Sequence, residues 1–133
     1  MKTTIKLHMR AQELFKIMKD SLIQEVENAN LKHFDPKQIG KGFSYTKKSK
    51  NRNVQVRIDA WKENQEYKAT FTSGKDAIQI TYLIREIDAQ TIEVTYIHDV
   101  LNAPKLTQRW MEKKALKQAE RMLKAVESSA IQR

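Results

Sequence analysis

Cysteine is absent from this chain of 133 residues, and glycine and proline are scarce, with three and two copies. Without cysteine the chain forms neither disulfides nor thiolate metal sites, so we expect a reducing compartment and a cytoplasmic protein. No stretch is apolar enough to span a bilayer. The opening MKTTIKLHMR alternates polar and apolar residues and is not expected to act as a signal peptide.

The sequence also lacks catalytic motifs, metal-ligand clusters and nucleotide-binding loops. We therefore predict no catalytic residue, no metal and no cofactor. The length of the chain is informative, because 133 residues suffice for one domain with a hydrophobic core. We expect a single domain over residues 1–133.

The net charge of +9 is distributed unevenly along the chain. Residues 37–58 carry seven basic and no acidic side chains, and residues 104–133 carry eight basic and three acidic ones. The segment between them, residues 59–103, carries four basic and eight acidic side chains. Two basic regions thus flank an acidic one, which favours nucleic acid, anionic lipid or an acidic protein among macromolecular partners.

Apolar periodicity predicts a strand and then a helix at the start of the chain. Ile5, Leu7 and Met9 alternate with polar residues, as in a strand with one buried face. From Ala11 to about Asn30 the apolar positions recur at helical spacing. Their stripe comprises Leu14, Phe15, Met18, Leu22, Val26 and Ala29. The stretch from Asn30 to Gln38 is expected to be irregular, because Asp35 precedes a proline.

Five further strands are predicted between Ile39 and Val100, where apolar and polar residues alternate. The first runs from Ile39 to Lys48, and polar turns separate it and its successors. These turns are residues 48–53, Glu63-Asn64, Gly74-Lys75 and the loop Asp88 to Gln90. Two-residue loops fix the register of a hairpin tightly, and glycine at the first position of one suits a type II′ turn.

The predicted turns align three rows of residues across one sheet face. Ala60 pairs with Tyr67, Tyr67 with Tyr82, and Tyr82 with Tyr96. The next two rows are Ile58, Ala69, Ile80 and His98, then Val56, Phe71, Ile78 and Val100. Nearly all are apolar, a consistency that a wrong register would lose. The opposite face then receives Trp61, Leu83 and Ile97, a hypothetical dimer contact.

The last element is predicted to be a helix from about Ala103 or Thr107 to Ala130, with Pro104 acceptable only in its first turn. Two alanines at its centre leave space above the tyrosine row, and this space is where we expect a pocket. The predicted buried stripe is Met111, Ala115, Ala119, Met122 and Val126, flanked by Leu116 and Leu123.

This order of elements resembles the helix-grip fold of START-domain, polyketide-cyclase and pollen-allergen-type proteins. The segment LHMRAQELF (residues 7–15) is similar to their opening strand and helix, and KALKQAERML (residues 114–123) to their closing helix. The chain also resembles a small bacterial family known only as a domain of unknown function. The resemblance implies an α+β fold in which a curved antiparallel sheet of about six strands wraps the C-terminal helix, in the order β-α-β-β-β-β-β-α.

The resemblance further implies a cavity between sheet and helix for a small molecule. Our leading hypothesis is binding of a small apolar or aromatic ligand, without assigned catalysis, by a monomer or homodimer. The expected lining residues are Tyr67, Tyr82, Tyr96, His98, Met111, Ala115, Ala119 and Met122. The tyrosine row is equally compatible with an ordinary core whose hydroxyls reach water.

Two other classes of function remain as alternatives. The first is a basic interaction module for RNA or an acidic protein, using the hairpin tip 47–52 and a helix face with Lys113, Lys117, Arg121 and Lys124. Trp110 lies on that face. The first turn of the helix is also expected to pack against the loop around His33 and Phe34. The second is a cyclase- or hydrolase-type enzyme that uses His98 and the tyrosines.

Overall fold

The computed structural model describes residues 1–29, 34–102 and 105–131, and within them the chain forms six strands and two long helices. The strands build one antiparallel sheet in the order β1-β6-β5-β4-β3-β2. This confirms the predicted α+β helix-grip architecture. The elements are β1 (Lys2–Leu7), α1 (Ala11–Asn28), β2 (Ser44–Ser49), β3 (Arg52–Lys62), β4 (Glu66–Ser73), β5 (Asp76–Asp88), β6 (Thr91–Val100) and α2 (Lys105–Ile131).

Helix α1 begins where predicted, and its first turn supplies its own cap. The Glu13 carboxylate accepts a hydrogen bond from the Arg10 backbone N–H at 3.1 Å, which satisfies a donor before the helix. Its apolar stripe then lies against the sheet, with Leu14, Leu22 and Val26 buried. Residues 30–33 of the predicted irregular connection lie outside the described residues. Pro36–Gln38 forms a short 3-10 turn before β2.

Strand β2 starts at Ser44 and not at Ile39, which corrects the predicted boundary. Gly42 has a φ of +91°, a left-handed backbone conformation that suits glycine and interrupts an extended strand. The backbone N–H of Gly42 donates to the Ile58 carbonyl at 2.8 Å, so this turn is still tied to β3.

The predicted tyrosine row is confirmed between β4, β5 and β6. Tyr67 lies opposite Tyr82, and Tyr82 lies opposite Tyr96. The two following rows are also confirmed, from Ile58 to His98 and from Val56 to Val100. The β4–β5 hairpin fixes this register through a two-residue loop in which Gly74 has a φ of +59°.

The pairing of Ala60 with Tyr67 was wrong, because β3 contains a bulge. Ile58 pairs with Ala69 as predicted, but the next pairs are Ala60 with Lys68 and Trp61 with Tyr67. Asp59 is the extra residue. The loop to β4 is one residue longer than predicted, and the bulge offsets that residue so that the rows beyond it stay in register.

The bulge moves Trp61 to the inner face of the sheet. Its ring lies 4.9 Å from the Phe15 ring and 5.8 Å from the Tyr67 ring, both in edge-on geometry. Trp61 therefore does not share the outer face with Leu83 and Ile97, and the predicted dimer contact loses its largest member.

Three hydrogen bonds hold Asp59 on the outer face, one from each of three strands. Its carboxylate accepts from Thr70 Oγ1 at 2.5 Å, Arg57 Nε at 2.8 Å and Gln79 Nε2 at 3.2 Å. Burial raises the pKa of Asp59, but these hydrogen bonds outweigh it and the net pKa is lowered. The carboxylate thus remains ionised and links β3, β4 and β5 beside the bulge.

The core is divided into two apolar clusters along α1. One joins the first turns of α1 to β1, β5, β6 and Leu123 of α2, and the other joins the last turns of α1 to β2, β3 and β4. Trp61 and Tyr67 pack against both clusters. The inward rotation of Trp61 at the bulge therefore connects the two halves of the core.

Helix α2 packs along β1 and β6 at one edge of the sheet. Its most buried residues are Glu112, Ala119, Leu123 and Glu127. The predicted stripe was wrong for Met111 and Met122, whose exposed fractions are 37% and 46%.

Carboxylates on the buried side of α2 explain why the helix turns these methionines outward. Glu127 accepts a hydrogen bond from the His8 backbone N–H at 2.6 Å, and Glu120 accepts one from the Thr3 hydroxyl at 2.5 Å. The hydrogen bond from His8 lowers the pKa of Glu127. Polar contacts with β1 thus orient the helix in preference to its methionines.

Replacing Asp59 with alanine should lower the free energy of unfolding by about 1–3 kcal/mol, because three donors lose their shared acceptor. Urea denaturation followed by tryptophan fluorescence measures the change. The control is Asp76→Ala, which breaks an exposed 3.2 Å ion pair with Arg52 and should cost less than about 1 kcal/mol. Equal losses in the two variants would contradict a structural role for the Asp59 bulge.

Candidate functional site

An open, largely apolar cleft lies between α1, α2 and the inner face of the sheet, with a volume of about 430 Å³. It exists because α2 lies over β1 and β6 and leaves part of β3, β4 and β5 uncovered. Its lining residues are Leu14, Ile17, Met18, Ser21, Leu22, Glu25, Lys47, Trp61, Tyr67, Phe71, Ile80, Tyr82, Met122, Leu123 and Val126.

The structure separates the predicted lining residues into two groups. Tyr67, Tyr82 and Met122 line the cleft. The other members of the predicted set do not line it: Tyr96, His98, Met111, Ala115 and Ala119. For Tyr96 and His98 the packing of α2 over β6 accounts for the difference, since this end of the tyrosine row is buried, whereas Met111 is exposed.

Helix α1 supplies more of the lining than the sequence indicated. Its residues from Leu14 to Glu25 that face the cleft recur at spacings of three and four, which places them on one helical face. Met18 belongs to the predicted apolar stripe and Ile17 lies beside it, so the apolar pattern indicated part of this face. Glu25 and Lys47 gave no such signal, because charged residues are ordinarily solvent-facing.

The Tyr67 and Tyr82 hydroxyls are open to the cleft. No hydrogen bond among the described residues involves either hydroxyl, and no buried polar side-chain atom there lacks a partner. Both hydroxyls must therefore reach solvent-accessible space. Burial of the rings raises both pKa values, and the negative charge of Glu25 raises that of Tyr67 further. The two phenols thus stay protonated and can each donate a hydrogen bond to a ligand.

One end of the cleft carries an ion pair. Lys47 Nζ lies 2.8 Å from Glu25 Oε1, and it also lies over the Phe71 ring at 5.4 Å from the centroid. The Tyr45 hydroxyl donates to the second oxygen of Glu25. Burial and this hydrogen bond raise the pKa of Tyr45, so the phenol remains a donor.

The far end of the tyrosine row forms a separate buried contact. The Tyr96 hydroxyl lies 3.1 Å from His98 Nδ1. Burial raises the pKa of Tyr96 to about 12 and lowers that of His98, although Glu112 partly opposes the second effect. His98 is therefore favoured in its neutral form and makes a structural contact here.

Trp110 is 68% exposed, and Lys114 Nζ lies over its ring at 5.6 Å from the centroid. The expected packing of this turn against Phe34 involves side chains at 105–108 that are not among those described, and the Phe34 ring itself lies 5.7 Å from the Phe43 ring. His33, the other half of that expectation, lies outside the described residues. Trp110 thus belongs to an exposed basic face of α2.

Two kinds of site are not found in the described part of the chain. None of the helices there is long and apolar enough to cross a membrane. The residues at 1–29, 34–102 and 105–131 also contain no group of three or more His, Cys, Asp or Glu side chains arranged to hold a metal ion.

Residues 1–117 match the family described as a domain of unknown function (DUF3284), so the chain belongs to that family. No curated protein matches the chain. The family assignment covers β1 through most of α2 and therefore includes every strand that borders the cleft.

Solved structures share the fold at low sequence identity. A START superfamily protein from Mycobacterium smegmatis matches with a TM-score of 0.63 at 13% identity, over 99% of this chain and 97% of that one. The ZhuI aromatase/cyclase from Streptomyces sp. R1128 matches with a TM-score of 0.61 at 12% identity, over 100% and 93%.

DynU16, a protein from the dynemicin biosynthetic locus, matches with a TM-score of 0.67 at 10% identity. The match covers 96% of this chain, which spans about half, 47%, of DynU16. Together these similarities confirm the predicted START and polyketide-cyclase-like fold.

His98 should make stability depend on pH between about 7 and 5. Its folded-state pKa is lowered, so the unfolded chain binds more protons below its ordinary pKa of about 6.5, and stability falls as the pH falls. Urea denaturation at several pH values should show a flatter slope for His98→Asn than for the parent. The carboxylates Asp59 and Glu127 have lowered pKa values and should lose their contributions progressively below about pH 5, outside this range. Equal pH dependence of stability in the parent and His98→Asn between about pH 7 and 5 would contradict the lowered pKa of His98.

Proposed function

We propose that this protein binds a small apolar or aromatic molecule in the cleft between its helices and sheet. The observation that carries the proposal is an apolar cleft in which the Tyr67 and Tyr82 hydroxyls have no partner among the described residues. Convergent polar groups on an otherwise apolar concave surface are typical of ligand sites. The apolar walls remove the ligand from water, and the hydroxyls orient it.

The dimensions and lining of the cleft support a ligand of small-molecule size. Its volume of about 430 Å³ falls within the range of about 300–1,000 Å³ that is common for such sites. Aromatic side chains make up a large part of one wall, namely Trp61, Tyr67, Phe71 and Tyr82. Flat aromatic rings pack well against such walls through offset or edge-on contacts.

The proposal is for binding without a catalytic step. His98, the candidate acid or base, does not line the cleft. The aromatase/cyclase named among the similar structures shares 12% identity with this chain and so supports the fold alone.

The absence of cysteine supports placement in the cytoplasm, as proposed from composition.

A thermal-shift panel of lipids, aromatic metabolites and flavonoid-like compounds should identify the ligand class at fixed salt. A ligand at about 100 times its dissociation constant adds roughly 2.7 kcal/mol to stability, which is readily measured for a domain of this size. Titration calorimetry on the best compound should then give about 3–10-fold weaker binding for Tyr67→Phe and Tyr82→Phe, each of which removes one hydrogen bond.

Tyr96→Phe is the matched control, because it removes the same atom from the same row outside the cleft. Its affinity should equal that of the parent protein. Unchanged affinity in Tyr67→Phe and Tyr82→Phe, or an equal loss in Tyr96→Phe, would reject the cleft as the binding site.

We propose RNA binding by the exposed face of α2 as a second candidate function. The supporting observation is the exposure of Trp110 beside Lys114, because aromatic and basic side chains together can stack on bases and contact phosphates. Lys113 and Lys117 are exposed on the same helix. The sequence contains no recognisable nucleic-acid-binding module, which makes the cleft the stronger candidate.

Fluorescence anisotropy with a labelled oligouridine tests this second function. Affinity should fall steeply between about 50 and 200 mM salt, because bound phosphates release counterions. Trp110→Ala and Lys117→Ala should each weaken binding, while Lys16→Ala, an exposed lysine on α1, should not. Affinity that is indifferent to salt, or equal for all three variants, would exclude this function.

A further inference from the structure

The Glu25–Lys47 ion pair is the charged feature of an otherwise apolar cleft. Glu25 lies on α1 and Lys47 on β2, so the pair spans the helix and the sheet at one end of the cleft. Its side chains are partly exposed, 37% for Glu25 and 26% for Lys47. Tyr45, which is 4% exposed, holds the Glu25 carboxylate in place through the hydrogen bond from its hydroxyl. The arrangement is therefore held in place and still open on one side.

The pair retains both donors and acceptors for a ligand. An ammonium has three N–H groups, and within the described contacts Lys47 gives one to Glu25. A carboxylate has about four lone-pair sites, and Glu25 uses one for Lys47 and one for Tyr45 in those contacts. A ligand group placed here can thus accept from Lys47 and donate to Glu25 at the same time.

Charge balance disfavours an ionised ligand group at this position. A ligand carboxylate at Lys47 places two anions around one cation, and a ligand ammonium at Glu25 places two cations around one anion, so either ion leaves one charge uncompensated. An uncompensated charge is costly in proportion to its burial, and this pair is about two-thirds to three-quarters buried. Tyr45 cannot compensate, because its buried phenol keeps its proton and serves only Glu25 as a donor.

We propose that Glu25 and Lys47 form the specificity-determining subsite of the cleft and select a neutral head group that both donates and accepts, such as a phenol or alcohol. This inference rests on the proposed binding function and adds the chemical class of the ligand. Carboxylates and amines with the same apolar body are rejected by the charge they leave unpaired.

The surroundings of the Glu25–Lys47 pair indicate how such a ligand is oriented in the cleft. Ser21, Glu25 and Lys47 also line a second, more polar cavity of about 740 Å³ between α1 and the β2–β3 hairpin. The pair thus stands where the apolar cleft meets a polar, open space. The ligand's head group lies at this junction, and its apolar body extends toward Trp61 and Tyr82.

Three naphthalene probes that differ only in head group test the inference: 2-naphthol, 2-naphthoate and 2-naphthylmethylamine. Their affinities are measured by titration calorimetry at pH 7.5 and fixed salt, where the first is neutral, the second anionic and the third cationic. The parent protein should bind the naphthol at least about tenfold more tightly than either ion, since each ion leaves one charge unpaired.

Charge-removing variants should reverse this order. Glu25→Gln leaves Lys47 as an unpaired cation and should rank the naphthoate first. Lys47→Met leaves Glu25 as an unpaired anion and should rank the amine first. Lys41→Met is the matched control, because it removes the same charge from an exposed position that lines neither the cleft nor the polar cavity. It should keep the order of the parent protein, and thermal melting establishes that each variant is folded.

The outcomes separate this inference from the proposed function. If the probes bind but the order is the same in all four proteins, the head-group assignment is overturned and the cleft as a binding site stands. If the Lys41→Met control reverses the order as well, the effect is one of overall charge and the assignment also fails. If the folded parent protein binds none of the three probes, both the subsite and binding of small aromatic ligands are overturned.

Discussion

One extra residue in β3 is the constraint on which the interior depends. Asp59 interrupts the pairing of β3 with β4, and the strand leaves the bulge with its inward and outward faces exchanged. Trp61 is consequently turned into the core, where it touches both apolar clusters and a wall of the cleft. A regular strand would have placed a small alanine there and a tryptophan in solvent.

The orientation of α2 then decides how much of the sheet remains open. Carboxylates on its inner side bind β1, so the helix lies at the sheet edge over β6. Tyr96 and His98 are covered by this placement, whereas Tyr67 and Tyr82 are not. A single row of aromatic residues thus contributes to the core at one end and to a ligand site at the other.

The register of β4, β5 and β6 could be predicted from the sequence, whereas the bulge in β3 and the position of the cleft could not. Short loops such as that at Gly74 determine pairing locally, and alternation then carries the register along each strand. The bulge at Asp59 has no local signal, because it depends on side chains of two other strands. The face of α2 was mistaken for a related reason: apolar periodicity favours Met111 and Met122, and it carries no information about carboxylates that find partners on β1.

Contacts between α2 and β1 also bear on how the sheet ends. An outermost strand presents unpaired backbone groups that can recruit a strand from another molecule. Here Glu127 occupies the His8 N–H, and Lys124 Nζ lies 3.5 Å from the Lys6 carbonyl oxygen. The helix thereby occupies one backbone group near the end of β1 and one just beyond it, so that neither is available to a strand added from another molecule.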